Sequence, residues 1–394
     1  MNTLDFKSQK FWDFLNTHGS DDVSIYIHIP FCEQKCLYCD FYSQVSSAEA
    51  HEKYIDSLIC ELSHYKKYLS SKEVKSIFVG GGTPSAINPK LIKIFMEYLK
   101  SICKLSDDCE ITAESNPNSL TDEAIKIYVE SGINRISMGA QSFNEKILKT
   151  IGRIHSPEQI YNAIESIQKN GIKNFNIDLM LALPNQTIKD INKSLEIVKR
   201  YDIPHVSYYS LILEEGTPLY NNMYSYQFPD EILERKMYRK IVDTFSLNHL
   251  NQYEISNFSK RGFECKHNLR YWKLKDYIGL GCSAQSNISS IRYSNVTSLK
   301  NYLNQNYSYV FEKLNKIERL NEYTMLGLRL NEGINIKEIN LKFNIDFEKE
   351  YKSVITKNID NKLITLNDGK IQLTTIGKDI SNVVELDFTR ITCN

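Results

Sequence analysis

The sequence lacks an excess of either charge: Lys+Arg and Asp+Glu are 48 each across 394 residues. A protein that held nucleic acid mainly through the phosphate backbone would show a basic surplus, so no nucleic-acid partner is expected. It also lacks an apolar run near the roughly 18–20 residues that cross a bilayer, so it is not expected to span a membrane. The first 30 residues contain Asp5, Asp13, Asp21 and Asp22 and no Arg, which fits neither a secretory h-region nor an Arg-rich transit peptide. Low-complexity blocks and internal repeats are missing as well. A disulfide framework is not indicated, because the cysteines number nine and six of them (Cys60, Cys103, Cys109, Cys265, Cys282 and Cys393) are dispersed. Together these absences leave a folded protein of a reducing compartment, expected to be cytoplasmic.

What is present begins with strand–helix alternation. Short β-like runs lie at Ser24–Ile29, Lys75–Val79, Glu110–Ala113, Arg135–Met138, Phe175–Met180 and His205–Leu211. Stretches of helical period separate them, such as Tyr54, Leu58 and Leu62, or Ile160, Ala163, Ile164 and Ile167. Ser156-Pro157-Glu158-Gln159 offers an N-cap, a proline at the first helical position and a capping Gln. This pattern predicts an α/β parallel sheet covered by helices. It leaves open whether the sheet curls partway into a barrel or lies as an open doubly wound sheet; in both, ligands gather at the carboxyl ends of the strands. Domain divisions are placed at 1–22 (extension), 23–228 (α/β core), 229–318 (helical and aromatic extension) and 319–394. The last segment carries helices at Tyr323–Leu330 and Ile336–Phe343. Two runs then flank Asn367-Asp368-Gly369, a hairpin signal. Helices followed by a hairpin suggest a winged-helix-like unit.

Three cysteines, Cys32, Cys36 and Cys39, fall within eight residues directly after the first strand. Three thiolates in one loop suit a soft metal centre. Structural zinc takes four ligands, and no second Cys or His pair stands at finger-like spacing nearby. Three ligands on a cubane cluster leave one iron free to bind substrate or cofactor. Gly80-Gly81-Gly82-Thr83-Pro84 follows the second strand, and Glu114, Gln141, Arg153 and Asp178 lie in or after later ones. A carboxylate between apolar strand residues is costly to bury without a partner.

The C-x-x-x-C-x-x-C spacing after a first strand resembles the radical S-adenosylmethionine (SAM) superfamily, and Gly80–Pro84 resembles the GGGTP element of its coproporphyrinogen-oxidase-like branch. The resemblance covers nearly the whole chain. It implies a partial (β/α)6 TIM-type barrel with a small C-terminal domain, a 4Fe–4S cluster on Cys32, Cys36 and Cys39, and SAM bound to the open iron. It further implies that Tyr26, Tyr38, Gly81, Gly82, Thr83, Glu114, Gln141, Arg153 and Asp178 contact SAM, with Arg153 on its carboxylate. Neither Arg153 nor Asp178 is expected to be a cluster ligand. Within the branch the chain most resembles the heme chaperone HemW family. Phe41 stands where oxygen-independent coproporphyrinogen III oxidases carry a further cysteine, and His267-Asn268-Leu269-Arg270-Tyr271-Trp272 matches a His-Asn-x-x-Tyr-Trp signature. The implied function is heme binding and transfer to an acceptor protein, which could be membrane-bound; the alternative is oxidative decarboxylation of coproporphyrinogen III. His267 is the candidate heme ligand, with Cys265 next, and a homodimer is compatible with the sequence. One departure is Gln285, in Ser283-Ala284-Gln285-Ser286, where the family commonly has histidine.

Overall fold

The computed structural model describes residues 9–389; Cys393 and the ends of the first and last sequence-assigned segments lie outside the described residues. Each of the six expected runs is a strand: β1 (Asp22–Ile29), β2 (Glu73–Gly81), β3 (Lys104–Ser115), β4 (Arg135–Gln141), β5 (Asn174–Leu181) and β6 (His205–Ser210). Each pairs in parallel with the next. Helices cross between them, burying the faces their periodicity predicts. Tyr54, Leu58 and Leu62 are buried in Ala48–His64, and Ile160, Ala163, Ile164 and Ile167 in Pro157–Lys169. The latter helix starts with the expected capping box of Ser156 and Gln159, with Pro157 at its first position. Because both faces of β4 are covered, all seven of its residues are buried.

The sheet does not close β6 onto β1. The segment after residue 229 begins with the helix Glu231–Leu247 and then adds β7 (Asn251–Glu254), β8 (Asn257–Ser259), β9 (Tyr277–Leu280), β10 (Gln285–Ile288), β11 (Ile291–Asn295) and β12 (Tyr309–Lys313). The resulting twelve-stranded sheet has the order β12-β11-β10-β9-β1-β2-β3-β4-β5-β6-β8-β7. β9 lies parallel to β1, and the outer strands at both ends run antiparallel. One apolar core extends through this assembly from Phe11 to Phe311. A buried carboxylate ties the added strands in place. Glu61 accepts from the hydroxyls of Tyr302 and Tyr309 (both 2.6 Å), from Asn295 Nδ2 (2.8 Å) and from the Gly281 N–H (2.9 Å). Burial nonetheless pushes its pKa up to about 7.

A second core, from Leu320 to Phe388, holds the C-terminal unit together. Its first helix, Lys316–Leu328, starts earlier than periodicity suggests because Asn315 and Glu318 form a capping box. Ile336–Phe343 is helical as expected. Strand β13 (Ile334–Asn335) joins the hairpin of β14 (Ile364–Asn367) and β15 (Lys370–Leu373) in a separate three-stranded sheet. Asp368 (φ 51°) and Gly369 (φ 72°) both take left-handed backbone at the tip, as a two-residue hairpin turn of the type I′ kind requires. Among the described residues no helix is long and apolar enough to cross a membrane.

Candidate cofactor-binding site

The cysteine loop leaves β1 at Ile29 and is pinched shut at its base. Cys32 N–H donates to Gln44 C=O (3.1 Å) and Gln44 N–H to Pro30 C=O (2.8 Å). Its far side is tied to the rest of the strand ends: Leu37 N–H donates to Ile151 C=O, and Leu219 N–H to Leu37 C=O. Held this way, the free thiols of Cys32, Cys36 and Cys39 line one cavity of about 350 Å³. Thr83 Oγ1 donates to Cys32 Sγ (3.6 Å) and Arg153 Nη1 to Cys36 Sγ (3.3 Å). Burial raises the Cys39 thiol, partly offset by a backbone bond at Phe41. Among the described residues, no three His, Cys, Asp or Glu side chains converge tightly enough to chelate one metal ion.

The glycine element supplies the floor. Gly81 sits at φ +112°, and a Cβ there would meet the His28 ring at 2.5 Å; a Cβ on Gly82 would meet Phe31 C=O at 2.7 Å and Cys32 Sγ at 3.0 Å. No larger residue lets β2 come so close to the cysteine loop. The N–H groups here are bonded within the protein: Gly81 to Glu114 Oε2 (3.0 Å), Gly82 to Ile29 C=O and Thr83 to Phe31 C=O.

The later strand ends complete the wall. Glu114 (β3), Gln141 (β4), Asp178 (β5) and Arg153 all line the same cavity, as do Tyr38, Gly81, Gly82 and Thr83. Burial, reinforced by the Asp178 charge, pushes Glu114 up to about 8 against the pull of the Gly81 N–H and Arg135. Burial also raises Asp178, while the Asn176 amide, donating at 2.7 Å, lowers it. For Arg153 burial opposes the charge, and Tyr38 and Cys36 outweigh that to raise its pKa. Gln141 is held at φ 62°, a left-handed conformation unusual for a non-glycine residue, where β4 slips register against β5. Its Oε1 accepts from the Tyr209 hydroxyl at 3.1 Å.

Arg153 reaches the cysteine loop as well: besides Asn116 Oδ1 (2.7 Å) and Gly139 C=O (2.6 Å), it contacts the sulfur of Cys36. Tyr26 does not line this cavity. It faces an adjoining chamber of about 280 Å³ with His28, Phe78, His267 and Tyr271, which shares Gly81, Glu114 and Asp178 with the larger one.

His267 is therefore close to the main site, despite its distance in sequence. It is fully buried, with Nδ1 bonded to Ser76 Oγ (2.9 Å) and Nε2 to Tyr271 Oη (2.8 Å), and its ring stacks on Phe78. Burial, with the Arg270 and Arg135 charges, lowers its pKa to about 3. Both ring nitrogens are engaged, so in this conformation neither faces an incoming iron. Cys265 is buried against Glu110, and burial raises its thiol to about 12, the wrong direction for a thiolate ligand. Cys282 donates its S–H to Val296 C=O inside the core, and Gln285 is exposed on β10, outside both cavities.

Sequence reasoning missed Asn116, Gly139, Ser207 and Tyr209, all of which line the cavity. Asn116 stands two residues beyond Glu114, and Ser207 and Tyr209 alternate along β6, so strand-end position was the available signal.

Comparison with known proteins agrees with this geometry. Residues 26–198 match the family model described as the Radical SAM superfamily, and residues 314–379 that of the HemN C-terminal domain. A Lactococcus lactis protein named heme chaperone HemW is 36% identical over 366 residues, covering 92% of this chain and 96% of that protein. Its Bacillus subtilis namesake is 34% identical over 369 residues, covering 92% and 97%. Among solved structures, coproporphyrinogen III oxidase (HemN) from Escherichia coli superimposes with a TM-score of 0.85 at 21% identity, covering 98% of this chain and 94% of that one, which establishes a shared fold. With that sequence coverage on both sides, the chain belongs to the heme chaperone HemW family of the radical SAM superfamily.

Proposed function

We propose that this protein is a cytoplasmic heme chaperone that binds heme and passes it to an acceptor protein, with a 4Fe–4S cluster and SAM held in its core. The observation that supports the core assignment is the cavity itself: three thiols from one pinched loop face polar side chains from successive strand ends. Cys32, Cys36 and Cys39 would ligate three irons. Gly82 fits the role, because the space a Cβ would need lies against Cys32 Sγ. When bound, the pair supplies reductive cleavage of a sulfonium and a carbon-centred radical.

The residues of the chain position that chemistry. Arg153, already bridging Cys36 to Gly139, would place a positive charge between the cluster and the SAM carboxylate. The SAM ammonium is a donor and would need acceptors such as the carbonyl oxygens of this element, whose N–H groups at Gly81, Gly82 and Thr83 already donate within the chain. Glu114, Gln141 and Asp178 suit ribose hydroxyls, which donate to carboxylates and amides. Tyr38 closes the side of the cavity next to the cysteines.

Reconstituting the iron–sulfur centre anaerobically and running two assays in parallel tests the reading. The expected result is heme binding with a shifted Soret band and no conversion of coproporphyrinogen III to a vinyl product. Robust anaerobic decarboxylation without heme binding would replace the chaperone with the oxidase. Transfer to an apo-acceptor, and a dimer in sedimentation, are further expectations of the same reading.

A further inference from the structure

The helix Lys266–Trp272 lies between two hollows. His267, Asn268 and Tyr271 face the inner chamber. Trp272, at its other end, faces a groove of about 550 Å³ formed with the C-terminal unit. Pockets that enclose ligands of drug size span roughly 300–1,000 Å³, so the groove lies inside that range and the 280 Å³ chamber below it.

Apolar and cationic side chains both line the groove. Trp272, Tyr323 and Leu341 supply the apolar part, and Leu341 is 85% exposed. Arg329 stacks on the indole at 4.7 Å, and the buried indole N–H has no hydrogen-bond partner among the described residues. Four lysines and two glutamates line the groove, an excess of two positive charges. Lys273 is paired with Glu332 at 2.8 Å, and Glu338 accepts from the Tyr323 hydroxyl. Lys275, Lys342 and Lys370 make no ion pair among the described residues, and the Lys342 ammonium lies over the Tyr323 ring at 4.9 Å. By contrast, a groove of about 590 Å³ on β11 and β12 has Arg292 already paired with Glu322, and Lys313 adjacent to Glu312.

We infer that the groove at Trp272 binds the heme macrocycle, with Trp272 and Tyr323 against the ring and Lys275, Lys342 and Lys370 on the two propionates. The inference rests on the heme-chaperone reading above and assigns it a location. Its support is complementarity: a planar apolar ring carrying two carboxylates meets aromatic lining residues and an excess of two positive charges. Among the described residues no His, Cys or Met lines the groove. Recognition then falls on the ring and its carboxylates, and the iron stays open to ligands from the acceptor. A carrier that makes no strong iron bond does not have to break one on release.

Titrating the full chain with hemin, metal-free protoporphyrin IX and protoporphyrin dimethyl ester tests this without altering the protein. Hemin and the metal-free ring should bind with affinities within a few-fold of each other, and the diester about ten- to a hundredfold more weakly, as expected for losing charge-assisted hydrogen bonds. Lys275→Ala/Lys342→Ala should weaken hemin by a similar factor at unchanged melting temperature, whereas Lys236→Ala, on the exposed face of Glu231–Leu247, should not. Strong hemin binding with no binding of the metal-free ring, or wild-type affinity in the double variant, would overturn the groove and leave the chaperone reading standing. No binding of any porphyrin would overturn both.

Discussion

The large cavity and the inner chamber share Phe41, Gly81, Glu114, Ser137, Asp178 and Ser207 as a common wall, yet the residues beyond that wall behave differently. In the chamber, polar groups satisfy each other: His267 with Ser76 and Tyr271, and His28 with Tyr26 and the Tyr42 carbonyl. At the shared wall, burial raises the pKa values of Glu114 and Asp178, and in the cavity beyond it three thiols lie beside Arg153. A buried polar group whose partners all lie within the chain stabilises that chain. One that is desolvated and only partly satisfied is poised for a ligand. Motif residues fall on both sides of this line, so membership in a motif does not by itself assign a ligand role.

The sharpest break in the comparison is to remove the thiols. Replacing Cys32, Cys36 and Cys39 together with Ala should abolish the centre, reducing iron and sulfide from about four of each per chain to background. Cys60, Cys103 and Cys109, replaced singly by Ser, should leave both contents unchanged. They sit elsewhere in the fold, where Cys60 donates to Gln305 and Cys103 to the Leu99 carbonyl. Iron and sulfide analysis with EPR reads the outcome; a full cluster in the triple variant would refute the assignment.

The next largest effect falls in the chamber and is a loss of stability. His267→Ala deletes a fully buried ring and takes the His267 partner from the Tyr271 hydroxyl, while Ser76 keeps its bond to Ser24. Cavity formation and the lost hydrogen bonds should cost about 3–5 kcal/mol, read as a lower urea midpoint with unchanged slope. Hemin affinity and Soret position should stay as in wild type once folding is secured at low temperature. A changed ligand-field spectrum with little loss of stability would reverse the placement of His267 and make it an iron ligand.

These two variants also mark where the sequence was legible. The cysteine loop, the glycine element and the strand-end polar residues are local in sequence and sit where a parallel α/β sheet must present ligands, so position alone pointed to them. The largely buried β1–β6 have the dense apolar character that reads as strand. By contrast, β7 to β12 are three to five residues long and rich in Asn, Gln, Ser and Tyr, and their pairing depends on distant partners such as Glu61. No local pattern announces them. The surroundings of His267 were not legible for the same reason: the parallel pairing of β9 with β1 folds residues 266–272 back over β2, bringing His267 onto Ser76, 191 positions away in sequence.

Arg153 and Asp178 sharpen the distinction inside the cavity. Asp178→Asn should weaken SAM about ten- to a hundredfold, the effect of losing one charged hydrogen bond, while leaving the EPR of the SAM-free cluster unchanged. Arg153→Ala should weaken SAM by a similar factor and also alter that SAM-free spectrum, because the guanidinium touches Cys36 Sγ. Equilibrium binding beside EPR separates the two. Identical SAM-free spectra for wild type and Arg153→Ala would return Arg153 to the ligand side alone.

The smallest effect is a pH dependence set by Glu114. Its carboxyl is raised to about 8, first by burial and then by the Asp178 charge. Below the ordinary value near 4.5 both folded and unfolded chains hold this proton, and no penalty arises. Between that value and about 8 the unfolded chain releases the proton while the folded one keeps it, so stability falls as pH rises and levels off above the folded pKa. Glu61, raised to about 7, adds to the lower part of the same window. Glu114→Gln retains an acceptor for the Gly81 N–H but removes the titration, so its urea midpoint should decline less than that of wild type from pH 5 to 9. SAM carries a sulfonium, which favours the ionised carboxylate; saturating SAM should therefore flatten the wild-type profile, and SAM affinity should rise with pH up to about 8. Parallel profiles for wild type and Glu114→Gln across that window would show that Glu114 is satisfied as fully as the histidines of the chamber, and the contrast between the two hollows would no longer hold at this residue.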